Sequence, residues 1–275
     1  MYHFSVLFRP GGRLACAIIM MPHVCCVASG LLWLRRLAAT FPVNDFEGYV
    51  KPTLSDPEAL KYLSGVGLQY AGVGMISDIK AVKSSLKTWE TETPCGGGRA
   101  TDCGSGAGTK NNSWSFGMGQ WSYMRSFIES GASVYSQWNM VLDQDGKSGW
   151  GWSQCSPITV DTVTKKVTYE GSFWATKHFS YFVEPNATVL PVTGALNHPC
   201  TLVDGACGCR GGCNDSPITE FLAFRNPSGE IVVVAQNTAP TEQPMRLMID
   251  GKLAFSERLP PASMNTFVVP GGSIA

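Results

Sequence analysis

Two carboxylates one residue apart, Glu90 and Glu92, stand in the stretch KTWETETPCGGG, just ahead of a Gly-rich turn. Thr88, Trp89 and Thr91 are β-branched or aromatic, which reads as a strand. Alternate residues of a strand point to one face, so Glu90 and Glu92 are expected to share a side. The end of a β/α strand is where barrel enzymes place their catalytic groups. Two alternating carboxylates also fit a metal site or a solvated edge, and in isolation the solvated edge is the simpler reading.

Aromatic residues supply the second set of candidates. The chain has eight Trp, and several lie beside Gly or Asn rather than in apolar runs. A flat ring next to polar groups suits a sugar, whose rings present apolar C–H faces and hydroxyl edges. Trp138 with Asn139, and Trp150 with Trp152 in SGWGWSQC, carry this pattern. Core packing is the competing reading for each. The formal net charge is zero, which argues against a nucleic-acid partner, since phosphate binding calls for a basic face.

These residues need elements to position them. From about residue 46 the pattern alternates strand and helix. Ser55 is expected to cap the turn SDPEALKYL, with Glu58 completing a capping box. GVGLQYAG reads as a buried strand, SDIKAVKSSL as a helix capped by Ser77 or Asp78, and LKTWETE as the next strand. QWSYMRSFIESG reads as a helix closed by Gly131, ASVYSQWNMVLD as a strand, and EGSFWATKHFSYFV as a last helix. Such alternation predicts parallel β/α architecture over 46–185. From about 186 to 275 the pattern turns all-β, with hairpins at NPSG and Asp-Gly, as in an antiparallel sandwich.

Taken in order, these stretches resemble glycoside hydrolase family 30, the glucosylceramidases and related β-glycosidases. Trp89, Thr91 and Glu92, followed by Cys95-Gly96, match the family's nucleophile motif, although Thr88 stands where that motif has Leu. GVGLQYAG is similar to the sixth barrel strand and SQWNMVLD to the eighth. The resemblance spans roughly 46–270 and leaves the Cys-rich stretch 200–213 unmatched. It implies an α/β plus all-β chain: the C-terminal strands of a (β/α)8 TIM-type barrel, then a β-sandwich. It further implies Glu92 as nucleophile, and Gln69, Tyr70, Trp138, Asn139, Trp150 and Trp152 as the sugar-binding set. Glu90 falls on a variable position. No cofactor or metal is expected.

A retaining glycosidase uses two carboxyl groups about 5–5.5 Å apart, one attacking and one protonating the leaving oxygen. In the family the second belongs to an Asn-Glu-Pro motif well ahead of the nucleophile, and this chain contains no Asn-Glu pair. The expectation is therefore a piece of a longer enzyme that folds poorly alone and has little or no activity. The substrate class implied is a β-glucoside, glycosphingolipid first, with contact to a membrane surface as a further partner. A non-catalytic carbohydrate-binding or interaction protein of the same descent is the alternative.

Ten Cys point to an oxidising compartment. Cys95 with Cys103, and Cys200, Cys207, Cys209 and Cys213, are disulfide candidates in Gly-rich loops. Zinc is the competing reading of the second group, whose spacing lacks paired C-x-x-C knuckles. Sequons at Asn111, Asn186 and Asn214 agree with a secreted or lysosomal location. Residues 14–34 form an apolar stretch between arginines, so 1–45 reads as a signal, an anchor or a mis-assembled start.

Overall fold

The computed structural model describes residues 3–5, 17–19, 36–41, 44–93, 114–146, 154–193 and 219–271. Strands β1 (His3–Ser5), β2 (Ala17–Ile19) and β3 (Arg36–Phe41) come first. A wide helical turn, Phe46–Val50, opens under Asp45, whose side chain accepts the Gly48 N–H at 2.8 Å. Helices α1 (Lys51–Leu54) and α2 (Pro57–Tyr62) follow. Asp56, not Ser55, caps α2, accepting the N–H groups of Glu58 and Ala59 at 2.8 and 3.2 Å. The cap moves because Pro57, with no N–H and a preset φ, takes the first helical position. Ser55 instead closes α1.

Strand β4 (Leu63–Gln69) runs into a tight helical turn, Tyr70–Met75, that continues as α3 (Ile76–Val82). The Ile76 N–H bonds back to the Val73 carbonyl, so α3 starts without the cap expected from Ser77 or Asp78. Strand β5 (Lys87–Thr93), helix α4 (Trp114–Glu129) and strand β6 (Ala132–Gln137) complete this half. Gly131 ends α4 at φ 103°, a value few side chains tolerate. Strands β3, β4, β5 and β6 pair in parallel, and the six-stranded order is β2-β1-β6-β5-β4-β3. Thus 36–41, left with the N-terminal segment on sequence grounds, joins the parallel sheet. Val66 and Leu68 of β4 pack with Ile76, Ile79, Leu86 and Phe127 beneath the crossing helices. All six are buried.

The run ASVYSQWNMVLD is not one strand. It breaks at Asn139, φ 59°, into β6 and β7 (Val141–Asp143). β7 joins β8 (Ile158–Val160) and β9 (Val167–Tyr169) in a small sheet. Helix α5 (Gly171–Ser180) leads to β10 (Thr188–Leu190), β11 (Thr219–Arg225) and β12 (Ile231–Asn237). A hairpin, β13 (Gln243–Ile249) with β14 (Lys252–Leu259), precedes β15 (Ser263–Val269). The four-stranded order is β10-β11-β12-β15, and β13-β14 stands as a separate pair.

Every residue of β12 is buried, because both faces of its sheet are covered. The two-residue period divides its side chains. Val232 and Val234, with Leu222 and Phe224, meet Trp121 and Met124 of α4 and Phe179 of α5. Ile231, Val233 and Ala235, with Phe221 and Ala223, meet Met245 and Leu259 of the hairpin. The turns are those expected. Gly229 closes NPSG at φ 89°, and Asp250-Gly251 sits at φ 50° and 78°, the backbone a tight hairpin requires. Among the described residues no helix is long and apolar enough to cross a membrane. The apolar run 14–34 lies outside them apart from β2.

Candidate active site

Parallel pairing brings the C-terminal ends of β4, β5 and β6 to one edge. Gln69 is opposite Glu92, and Thr93 is opposite Gln137, with Trp138 the next residue. Glu92 is half-buried there, and both its oxygens are engaged. Gln69 Nε2 donates to Oε2 at 2.9 Å and the Tyr70 hydroxyl donates to Oε1 at 2.5 Å. Both donors are neutral, so among the described residues the carboxylate is oriented without an ion pair. Burial, then the hydrogen bond to Glu92 and the charges of Glu92 and Glu90, push the Tyr70 phenol far above its ordinary value. It stays protonated and a donor.

Tyr70 stands at φ 45°, a left-handed conformation that is uncommon for an aromatic residue. The strand stops and the helical turn begins at this residue, and the twist turns its ring back toward β5. Backbone strain of this kind collects where a side chain must be held for function.

Glu90 is not a solvated edge. Its side chain is fully buried, accepting the N–H groups of Glu92 and Ser136 at 3.0 Å each. Thr91 Oγ1 donates to the Leu68 carbonyl at 3.0 Å, tying β5 to β4 beside the site.

Past β6, Trp138 Nε1 donates to Gln154 Oε1 at 3.2 Å, and Asn139 Nδ2 donates to the same oxygen at 2.6 Å. Asn139 is buried, so its amide supports the Trp138 turn from within. Gln154 was not anticipated from sequence; it lies two residues past the Gly-Trp-Gly-Trp run, in a stretch without periodicity. Gln137 was also passed over. Its Nε2 is buried at the end of β6 with no hydrogen-bond acceptor among the described residues. Its place immediately before Trp138 was the available signal.

Trp150, Trp152, Asn111, Asn214, Cys95, Cys103, Cys200, Cys207, Cys209 and Cys213 lie outside the described residues. Asn186 is exposed, at φ 68°. Cys155, absent from the disulfide candidates, is buried and disulfide-bonded.

Comparison with known proteins finds likenesses among glycoside hydrolases. The Glycosyl hydrolase family 30 beta sandwich domain matches residues 213–267. Over that segment the chain is similar to family 30. Lysosomal acid glucosylceramidase of Mus musculus is 23% identical over 229 residues, covering 80% of this chain and 39% of the mouse protein. An endo-beta1,6-glucanase structure superposes with TM-score 0.60 at 18% identity, covering 82% of this chain and 45% of that one. The catalytic domain of the GH30 xylanase C from Talaromyces cellulolyticus gives 0.53 at 18%, covering 84% and 51%. This chain therefore spans about half the length of these proteins or less. It resembles their C-terminal portion.

Proposed function

We propose that this protein is a family 30 β-glycosidase acting by double displacement, with Glu92 as nucleophile. The observation that carries the reading is the half-buried Glu92 carboxylate at the end of β5, aimed by Gln69 and Tyr70. In this reading β3 to β6 are the last strands of a (β/α)8 barrel, whose active site forms at the C-terminal strand ends. One Glu92 oxygen attacks the anomeric carbon while the neutral donors keep the carboxylate in register. Trp138 offers its ring face to the sugar. The proton donor for the leaving oxygen is not assigned to any residue of this chain, which has no Asn-Glu pair.

The substrate we propose is a β-glucoside, a glycosphingolipid first, with β-xylan and β-1,6-glucan as alternatives. The compartment is secretory or lysosomal. The glucosylceramidase likeness over 80% of the chain supports the first choice. The glucanase and xylanase likenesses support the others.

A probe with an activated leaving group tests Glu92 without its missing partner. In 2,4-dinitrophenyl 2-deoxy-2-fluoro-β-glucoside the C1–O bond breaks as dinitrophenolate departs with its electron pair, needing no proton. The new bond joins C1 to a Glu92 oxygen. The expected result is one fluoroglucosyl group on the peptide carrying Glu92, and none in E92Q. A folded wild-type chain that takes up no label would favour the non-catalytic reading, to which the absence of an Asn-Glu pair points.

A further inference from the structure

The pairing of β5 with both neighbours slips at the same place. On the β4 side, Leu68 pairs with Glu90 but Gln69 with Glu92. On the β6 side, Glu90 pairs with Tyr135 but Thr93 with Gln137. Thr91 is thus the extra residue toward β4, and Thr91 with Glu92 oppose Ser136 alone toward β6. Such a bulge interrupts the ladder and re-aims the residues beside it. Buried backbone N–H and C=O groups at an interruption still need partners. Toward β4, the Thr91 hydroxyl reaches the Leu68 carbonyl. Toward β6, the acceptors are the two oxygens of one side chain, Glu90. Oε1 takes the N–H of Glu92 and Oε2 takes the N–H of Ser136.

We infer that Glu90 is a positioning residue: its buried carboxylate replaces a missing strand partner and fixes the backbone from which Glu92 projects. This rests on the proposed role of Glu92 for its catalytic consequence, and on geometry alone for the backbone. A carboxylate is the group the site requires, because it offers two acceptors and no donor. Glutamine would keep one acceptor and turn an NH2 group toward the other N–H. Aspartate would keep both acceptors one methylene short.

The experiment uses the full chain and E90Q and E90D variants. Residue-resolved amide exchange reads the backbone, and the dinitrophenyl fluoroglucoside reads the chemistry. In E90Q the amides of Glu92 and Ser136 should exchange roughly tenfold faster or more, with the rest of β5 and β6 unchanged. The limiting labelling rate should fall on the order of 100-fold, as expected for a small misplacement of the attacking group. The concentration giving half that rate should barely move, because the contacts to the sugar remain. E90D should lie between wild type and E90Q in both readouts, and it carries the test alone if E90Q does not fold. Unchanged exchange at Glu92 and Ser136 would overturn the inference, as would acceleration spread evenly over the whole sheet. If wild type takes no label yet these two amides respond, the glycosidase reading fails and the backbone role stands.

Discussion

Two places in this molecule bring a buried glutamate beside a more accessible one, and the groups that hold them differ. At the strand ends, an amide and a phenol, both neutral, donate to Glu92, and Glu90 accepts two backbone N–H groups. Between α4 and the four-stranded sheet, Glu129 and Glu220 share one guanidinium, Arg125, itself 1% exposed. Arg125 lies 2.9 Å from Glu129 and 3.4 Å from Glu220, and Ser122 donates to Glu220 at 2.7 Å. A cation beside a carboxylate spends its charge on the pair, whereas neutral donors leave the charge for an incoming carbon. The first arrangement suits the proposed role of Glu92. The second joins a helix of the parallel half to the β-rich half.

The largest effect should follow from breaking the cation-centred pair. Arg125→Met would leave Glu220 buried without a counter-ion, which costs about 3–5 kcal/mol when one partner of a buried pair is removed. Urea unfolding of the variant should show that loss as a lower midpoint with unchanged slope. Adding Glu220→Leu to Arg125→Met should recover much of it, because the stranded charge goes too. A single variant as stable as wild type would mean that water reaches this pair.

The neutral-donor site should respond in the other currency. Tyr70→Phe removes a hydrogen bond to a charged group, worth about 1.5–3 kcal/mol. If that bond aims Glu92 during attack, the limiting labelling rate should drop roughly tenfold or more. The urea midpoint should move little, since Phe fits the same half-buried space and relieves the desolvated hydroxyl. A Tyr70→Phe variant that loses stability but labels normally would make the site structural, like its counterpart at Arg125.

How far each region could be read from sequence follows from how local its causes are. Gln69, Tyr70, Glu92 and Trp138 were legible through the resemblance to family 30, whose motifs fall at the ends of strands that pair side by side. The hairpins at NPSG and Asp250-Gly251 were legible because a turn depends on a few adjacent residues. Glu90 was not: its burial depends on a slip in register against two other strands, which no local pattern records. Arg125 and Glu129 show the four-residue helical spacing, but Glu220 lies far along the chain, and only packing of α4 on β11 brings it in. Cys155 gave no signal because one cysteine in an aperiodic loop names no partner. The cap at Asp56 could have been read, had Pro57 been given its preference for the first helical position.

The smallest effect is one of pH, and it sets the glutamates around Arg125 against His178 by sign. Burial, outweighing Arg125 and Ser122, raises the pKa of Glu220, and burial likewise raises Glu129. The folded chain then binds more protons than the unfolded one, from the ordinary carboxylate value of 4.5 up to the raised folded values. Stability should therefore rise as pH falls through that window, by at most about 1.4 kcal/mol per pH unit for buried Glu220 and by much less for Glu129, which is exposed and screened by water. His178 works against this. Burial and then Lys177 lower its pKa, so the folded chain holds fewer protons there and loses stability as pH falls below 6.5. Glu220→Gln removes the first contribution and leaves the second, so the variant should gain less than wild type on acidification between neutral pH and 4.5. Urea unfolding at stepped pH on the two proteins reads the difference directly. Parallel curves would show that Glu220 carries the same proton folded and unfolded, and that Arg125 fully offsets its burial.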